Sequence, residues 1–367
     1  MELSEANILF FTRSMNLGGT ENVVLQLCEI FKPIVNKIVV CSCGGVNTEK
    51  LSAMHIKHYR IPDIEKKSPD TILKTFLKVK RIIRKEKINV IHTHHRMAGF
   101  YTRLLTYCNK SIVFFNTSHN TFTDKIRLTR FAYRKAHLIA CGSMVQKNLN
   151  EVYGLSDVKV IHNAVKAYNE PVEIIPQLQE LKEKGFVLVG NVGRLSEQKG
   201  MKYFIKSFTK VKRKCNNVKY IIVGDGEDKE KLLKLRDKFC KEDDIIFLGY
   251  RNDIQNVISQ LDFIVLSSLW EGLPLTPIEA FSVGKTVIGT AVDGTVEIIE
   301  DGKNGLLIPA RSSGKIAEKV VFLAENTDIR TEFEQNALKT YNESFSFKRL
   351  SESYIQYYKE CLADVKS

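Results

Sequence analysis

The chain has 367 residues, 44% of them hydrophobic, enough for a sizeable core in each of two domains and too much for a disordered protein. Its 55 Lys and Arg outnumber its 42 Asp and Glu, and the surplus is lopsided: residues 1–170 hold 26 basic against 13 acidic side chains, the remainder 29 against 29. No apolar run reaches the ~18 residues of a membrane span, and the start, MELSEANILFF, lacks the basic region of a signal peptide.

Residues 7–12 (NILFFT) read as a buried strand, followed by a turn, Leu17-Gly18-Gly19-Thr20-Glu21. Helical spacing then runs over 23–31, with Val24, Leu27, Cys28 and Phe31 on one face. Strand, glycine turn and helix open a doubly wound α/β domain, and glycines there let backbone N–H groups approach a ligand. Further strands are predicted at 37–43, 89–93, 111–117, 136–141 and 158–161, and helices at 69–87 and 97–106. Gly142-Ser143 reads as the cap of a following helix, and Leu73, Phe76, Leu77, Lys80 and Ile83 as the periodic face of the helix at 69–87.

Residues 166–185 are polar, carry Pro171 and Pro176, and read as a linker with a short lead-in helix. A second alternation follows, with strands at 186–192, 218–223, 245–248, 263–266, 286–290 and 304–308. The helices between them are predicted at 199–212, 228–239, 254–260, 277–283 and 296–299. Three helical segments close the chain, the last at 347–362 with Tyr354, Tyr357 and Tyr358. The expected organisation is a domain at 1–165, the linker, a domain at 186–345, and a final helix at 346–367 crossing back to the first domain. The eight cysteines include no CxxC pair, and several lie in apolar runs. That argues against a zinc or thioredoxin-like site and for a reducing, cytoplasmic setting.

The chemistry centres on residues 266–280, LSSLWEGLPLTPIEA. Glu271 lies on a strand-exit loop and Glu279 in the first turns of a helix that Pro277 suits as a start, with seven residues between the two acids. Carboxylates accept hydrogen bonds from hydroxyls, while a helix N-terminus favours an anion. The pattern fits a ligand with a phosphate in the middle and hydroxyls at both ends. Residues 193–200, GRLSEQKG, add Arg194 and Lys199 between a strand end and a helix start, where two cations can clamp a diphosphate. This is not a Walker loop, because no Ser or Thr follows the lysine. Gly224-Asp225-Gly226 lacks the third glycine of a dinucleotide fingerprint, which argues against NAD.

The ordered set GGTENVVLQL, VGRLSEQKG, IIVGDGEDKEKL, EGLPLTPIEA, GKTVIGT and DGKNGLLIP resembles the group-1 family of retaining glycosyltransferases, glycosyltransferase family 4-like. The resemblance spans nearly the whole chain and is strongest from residue 186 to 309. It implies the GT-B architecture, two Rossmann-like doubly wound α/β domains facing each other across a cleft. It also implies residue roles. Glu279 would hold the nucleotide ribose and Glu271 the donor-sugar hydroxyls. Arg194 and Lys199 would neutralise the diphosphate, and Gly18 and Gly19 would bring N–H groups to the donor phosphate or sugar. His119 would lie near the transferred sugar, and Gly272, Leu273, Leu275 and Thr276 would shape its pocket. No Asp-x-Asp pair occurs, so the expected chemistry uses side-chain cations with no metal and no other cofactor.

The expected substrates are a UDP- or GDP-sugar donor and a glycan or lipid-linked acceptor, as in polysaccharide or glycolipid biosynthesis. Lys74, Lys78, Lys80, Arg81, Arg84, Lys85 and Lys87 crowd one helix of the first domain. Lys125, Arg127, Arg130, Arg134 and Lys135 crowd another, interleaved with Ile126, Leu128, Phe131 and Tyr133. Basic amphipathic helices suit an anionic membrane surface, so a peripheral position on the cytoplasmic face is expected. The competing readings are a non-enzymatic nucleic-acid binder, for which no recognition motif is visible, and a GT-B relative such as a phosphorylase or sugar-nucleotide epimerase.

Overall fold

The computed structural model of the chain describes residues 1–66, 68–292 and 294–363. They form two compact α/β units, residues 1–163 together with the chain from Leu350 on, and Ala164–Arg349.

The first unit runs β1 (Asn7–Phe11), α1 (Gly19–Phe31), β2 (Lys37–Ser42), α2 (Thr48–Ala53), β3 (Lys57–Arg60), α3 (Pro69–Glu86) and β4 (Val90–Thr93). It continues with α4 (Arg96–Cys108), β5 (Val113–Ser118), α5 (Ile126–Tyr133), β6 (His137–Ala140), α6 (Ser143–Glu151) and β7 (Val158–Val160). The strands make one parallel seven-stranded sheet in the order β3-β2-β1-β4-β5-β6-β7. Strand β1 is an almost uninterrupted apolar run, as burial on both faces demands, whereas β4 and β5 end in the buried polar residues His92, Thr93, Asn116, Thr117 and Ser118. The order reverses between β1 and β4, so the loops after these two strands diverge at a topological switch point.

The second unit runs α7 (Pro176–Glu183), β8 (Val187–Val192), α8 (Met201–Lys214), β9 (Val218–Val223), α9 (Lys229–Phe239), β10 (Ile245–Gly249) and α10 (Ile254–Ser259). Then come β11 (Phe263–Leu266), α11 (Leu275–Ser282), β12 (Val287–Thr290), α12 (Thr295–Ile298), β13 (Gly305–Ile308), α13 (Ser313–Glu325), α14 (Thr327–Thr340) and the start of α15 (Phe347–Ala363). Its parallel sheet has the order β10-β9-β8-β11-β12-β13, with the switch point between β8 and β11. Val189, Phe204, Phe208, Tyr220 and Phe263 lie in one core cluster under this sheet. From Leu350 on, α15 belongs to the first unit, where Tyr354 and Tyr358 are among its fully buried side chains.

Several sequence expectations need correction. Strand β3 and helix α2 were not foreseen. The sequence of β3, KHYR, has no apolar alternation because the strand lies at the sheet edge with no side chain fully buried. It is pinned by Glu86, which accepts from the Tyr59 hydroxyl and from Lys57. Helix α11 begins at Leu275 with Pro274 as its N-cap, so Pro277 is its third residue rather than its first. Gly142 alone is the N-cap of α6, without a side-chain cap. On α3 the core is met by Val79, Ile82 and Ile83, while Leu73 and Leu77 are 58% and 54% exposed on a second stripe. Among the described residues, no helix is long and apolar enough to cross a membrane.

Candidate active site

In the second unit, the loops after β8 and β11 leave neighbouring strands at the switch point, so their residues meet although they lie far apart in the chain. They are stitched together by main-chain and side-chain bonds. Asn191 Nδ2 donates to Ser267 Oγ at 2.9 Å, and Ser267 Oγ donates to the Lys199 carbonyl at 2.9 Å. The Leu269 N–H donates to the Gln198 carbonyl at 2.7 Å, and Gln198 Nε2 to the Trp270 carbonyl at 3.0 Å. Two glycines permit the close packing. Gly200 is left-handed (φ 59°), and a Cβ there would lie 2.2 Å from the Ser267 carbonyl oxygen. A Cβ on Gly224 (φ 140°) would lie 1.9 Å from the Gly193 carbonyl oxygen. The GDG segment is thus a steric spacer that lets the loop after β9 lie on the loop after β8.

Within this frame Lys199 Nζ meets Glu271 Oε1 at 2.6 Å, with the two side chains 18% and 7% exposed. Ser268 Oγ donates to the same carboxylate oxygen at 2.6 Å, and Thr290 Oγ1 fixes the Ser268 carbonyl at 2.6 Å. The sequence singled out both members of this ion pair but not their pairing, and it passed over Ser268, Gln198 and Thr290. Arg194, on the same loop as Lys199, is exposed and has no ion-pair partner among the described residues. The site therefore offers one free guanidinium beside an ammonium already committed to a carboxylate.

Gly272 and Leu273 are buried, and Leu275 is half-buried as the first residue of α11. Thr276 is buried, with its hydroxyl donating to the Val192 carbonyl at 3.5 Å, which ties α11 to the end of β8. Glu279 lies on α11 at a half-buried position. Its carboxylate makes no hydrogen bond among the described residues, and burial pushes its pKa up to about 7, against the attraction of Lys199. A carboxyl that no donor of the protein engages is suited to a ligand that brings hydroxyls.

In the first unit, Gly18 is the N-cap of α1 in extended conformation and Gly19 its first residue. Glu21 folds back over Gly18, so that a Cβ there would lie 2.5 Å from Glu21 Oε2, and Ser14 Oγ donates to Glu21 Oε1 at 2.7 Å. The sequence did not mark this acid, which sets a carboxylate at the start of α1. His119, at the end of β5, lines a cavity of about 420 Å³ within this unit, together with Ser14, Glu21, His94, Arg96 and Tyr153 among others. Its Nε2 lies 3.1 Å from His94 Nδ1, and burial lowers its pKa to about 4. The cavity's cations are largely paired: Arg13 with Asp63 at 3.0 Å, Arg96 with Asp124 at 2.8 Å. Hydroxyls, amides and aromatic rings dominate the rest of the wall.

With this geometry in place, the likeness to known proteins is decisive. The profile for glycosyl transferases group 1 matches residues 173–340, and that for glycosyltransferase family 4 matches residues 17–167.

The chain is a glycosyltransferase.

An uncharacterized glycosyltransferase of Methanocaldococcus jannaschii is 32% identical over 250 residues, and the match spans 60% of each chain. The N-acetylgalactosamine-N,N'-diacetylbacillosaminyl-diphospho-undecaprenol 4-alpha-N-acetylgalactosaminyltransferase of Campylobacter jejuni is 26% identical over 95% of this chain and 98% of its own. Among solved structures, Anabaena Alr3699/HepE in complex with UDP superposes with a TM-score of 0.80 at 20% identity, covering 95% of this chain and 98% of that one. The fold is accordingly GT-B, with two Rossmann-like units.

Glu279 gives this glycosyltransferase a pH signature. A carboxyl whose folded pKa is raised stabilises the fold fully below its ordinary value of 4.5, and that contribution is lost as pH rises through about 7. Glu279→Gln is therefore expected to raise stability at pH 8, by about 1 kcal/mol or more in denaturant melts, with the gain vanishing below about pH 4.5. Equal stability of the two proteins at pH 8 would show that the carboxylate is not held against its solvation.

Proposed function

We propose that the chain transfers a sugar from a UDP- or GDP-sugar to a glycan or lipid-linked acceptor, with retention of anomeric configuration and without a divalent cation. The convergence of Arg194, Lys199, Glu271 and Glu279 at the switch point of the second sheet carries this reading. Glu279 accepts from the ribose hydroxyls, and Arg194 and Lys199 take the diphosphate. Glu271, released by Lys199, accepts from the donor-sugar hydroxyls, while Gly272, Leu273, Leu275 and Thr276 bound the sugar. Gly18 and Gly19 offer N–H groups to the donor, best to sugar oxygens, because Glu21 already sits at that helix start. His119 faces the transferred sugar. The UDP held by the Anabaena protein favours uridine as the base.

In the transfer, the acceptor oxygen forms its bond to the anomeric carbon on the face from which the diphosphate departs. The bond from that carbon to the diphosphate oxygen breaks through an oxocarbenium-like state. The departing oxygen takes the acceptor proton, so the products are a glycoside and a nucleoside diphosphate. The charge that develops on the diphosphate is met by Arg194 and Lys199, the interaction that strengthens most as the bond breaks.

A lipid-linked acceptor is favoured by the name of the Campylobacter relative, a diphospho-undecaprenol enzyme. The surface of α3 agrees with it: Leu73 and Leu77 stand exposed among Lys74, Lys78, Arg81 and Lys85. Ile126 and Phe122 are exposed beside Lys125 and Arg127 at the start of α5. We place the first unit against an anionic membrane surface through these two helices.

Two experiments test these readings. Glu279→Gln and Lys199→Ala are each expected to lower transfer from a nucleotide-sugar by about 10²-fold or more with the fold intact, and excess chelator to leave wild-type turnover unchanged. Near-wild-type rates in both variants, or activity abolished by chelator and restored by manganese, would overturn the site. In vesicle flotation, the protein is expected to rise with anionic vesicles and stay behind with neutral ones; equal partition to both would reject the membrane surface.

A further inference from the structure

The mechanism leaves one buried group unused. Strand β4 ends in His92 and Thr93 and is followed by His94, while His119 follows the end of the adjacent β5. The rings of His92 and His94 stack with centroids 4.4 Å apart, while His94 and His119 meet edge to edge, their centroids 5.4 Å apart and their planes 22° from parallel. His92 is held through both nitrogens, Nδ1 to the Tyr358 hydroxyl at 2.7 Å and Nε2 to Thr117 Oγ1 at 2.8 Å. Tyr354 in turn bonds Thr117 Oγ1 at 3.1 Å, so α15 locks the base of the stack. His94 is 4% exposed. Its Nδ1 meets His119 Nε2 at 3.1 Å, and its Nε2 is buried with no hydrogen-bond partner among the described residues.

Burial keeps all three rings neutral, since it lowers the pKa of each. A neutral imidazole has one N–H and one lone pair. The bond between His94 and His119 therefore has two arrangements. If His119 donates from Nε2, His94 accepts at Nδ1 and must carry its own proton on Nε2, where it becomes a buried N–H without an acceptor. If His94 donates from Nδ1, its Nε2 keeps only an unused lone pair. Orphaned buried N–H groups are rare, and an underused acceptor is tolerated more readily. The second arrangement wins. His119 then accepts at Nε2, and its single proton is left on Nδ1.

We infer that His94 is a positioning residue that fixes His119 as its Nδ1–H tautomer, so that His119 serves the cavity it lines as a hydrogen-bond donor to a ligand oxygen. The inference rests on the proposed transfer only for the identity of that ligand, a sugar. It also explains why His92 is clamped: a ring fixed at both nitrogens gives His94 a rigid surface to stack on.

Histidine tautomers are read directly from two-bond proton–nitrogen NMR correlations at about pH 7.5, with no substrate present. The wild-type protein is expected to show His119 protonated on Nδ1. His94→Asn, whose side-chain N–H can replace the Nδ1 donor, is expected to keep that tautomer and to stay within about threefold of wild-type turnover. His94→Asp puts an acceptor where the donor stood; it is expected to draw the His119 proton onto Nε2 and to lower turnover about tenfold or more. A wild-type His119 protonated on Nε2 overturns the inference whatever the variants do, as does an unchanged tautomer in folded His94→Asp. Because the tautomer is read without substrate, it stands or falls separately from the transfer reaction.

Discussion

The contact on which the site depends is the ion pair of Lys199 and Glu271, 2.6 Å apart and largely withdrawn from water. Removing either partner would leave a charge desolvated without compensation, which is far more costly than losing an exposed pair. The pair exists because two parallel strands, β8 and β11, are neighbours in the sheet and their connections leave in opposite directions. Everything else in the two loops serves that meeting. Asn191, Ser267, Gln198 and Ser268 fix the backbone, and Gly200 allows the loops to touch. A diphosphate that takes Lys199 would free Glu271 for sugar hydroxyls, so a single side-chain exchange would arm both ends of the donor site.

Much of this was legible in the sequence, for identifiable reasons. The βα alternation shows because strands buried on both faces are almost uninterrupted apolar runs, as in β9 and β11. The site loops show because polar and glycine residues follow those runs abruptly. What failed to show was either polar or long-range. Strand β3 reads KHYR and earns its place through Glu86, which lies far along the chain. The pairing of Lys199 with Glu271 spans 72 positions and exists only once β8 and β11 are adjacent. Leu73 and Leu77 read as one periodic face with Ile83 because their helical spacing merges with that of the buried Val79, Ile82 and Ile83, although both stand exposed.

The first unit teaches a similar lesson about single residues. His119 stood out because it follows a strand, but the sequence gives its neighbour His94 a comparable signal. His92 and His94 are two positions apart, the spacing that places side chains on one face of a strand. Taken with the strand order, which sets β4 beside β5, that spacing would have marked all three rings. Glu21 was missed for a different reason: an acid in the first turn of a helix is normally a dipole-complementing surface residue. Here the missing Cβ of Gly18 lets it fold back over the helix start.

We propose that side-chain cations on the loop after β8 bind the diphosphate, with Lys199 leaving Glu271 to do so. Calorimetric titration of UDP, which has no sugar for Glu271 to hold, into the wild type, Lys199→Ala and Glu271→Gln tests it most directly. Lys199→Ala is expected to weaken UDP binding about tenfold or more, about 1.4 kcal/mol, and Glu271→Gln to bind UDP at least as well as the wild type. Unchanged affinity in Lys199→Ala would contradict it.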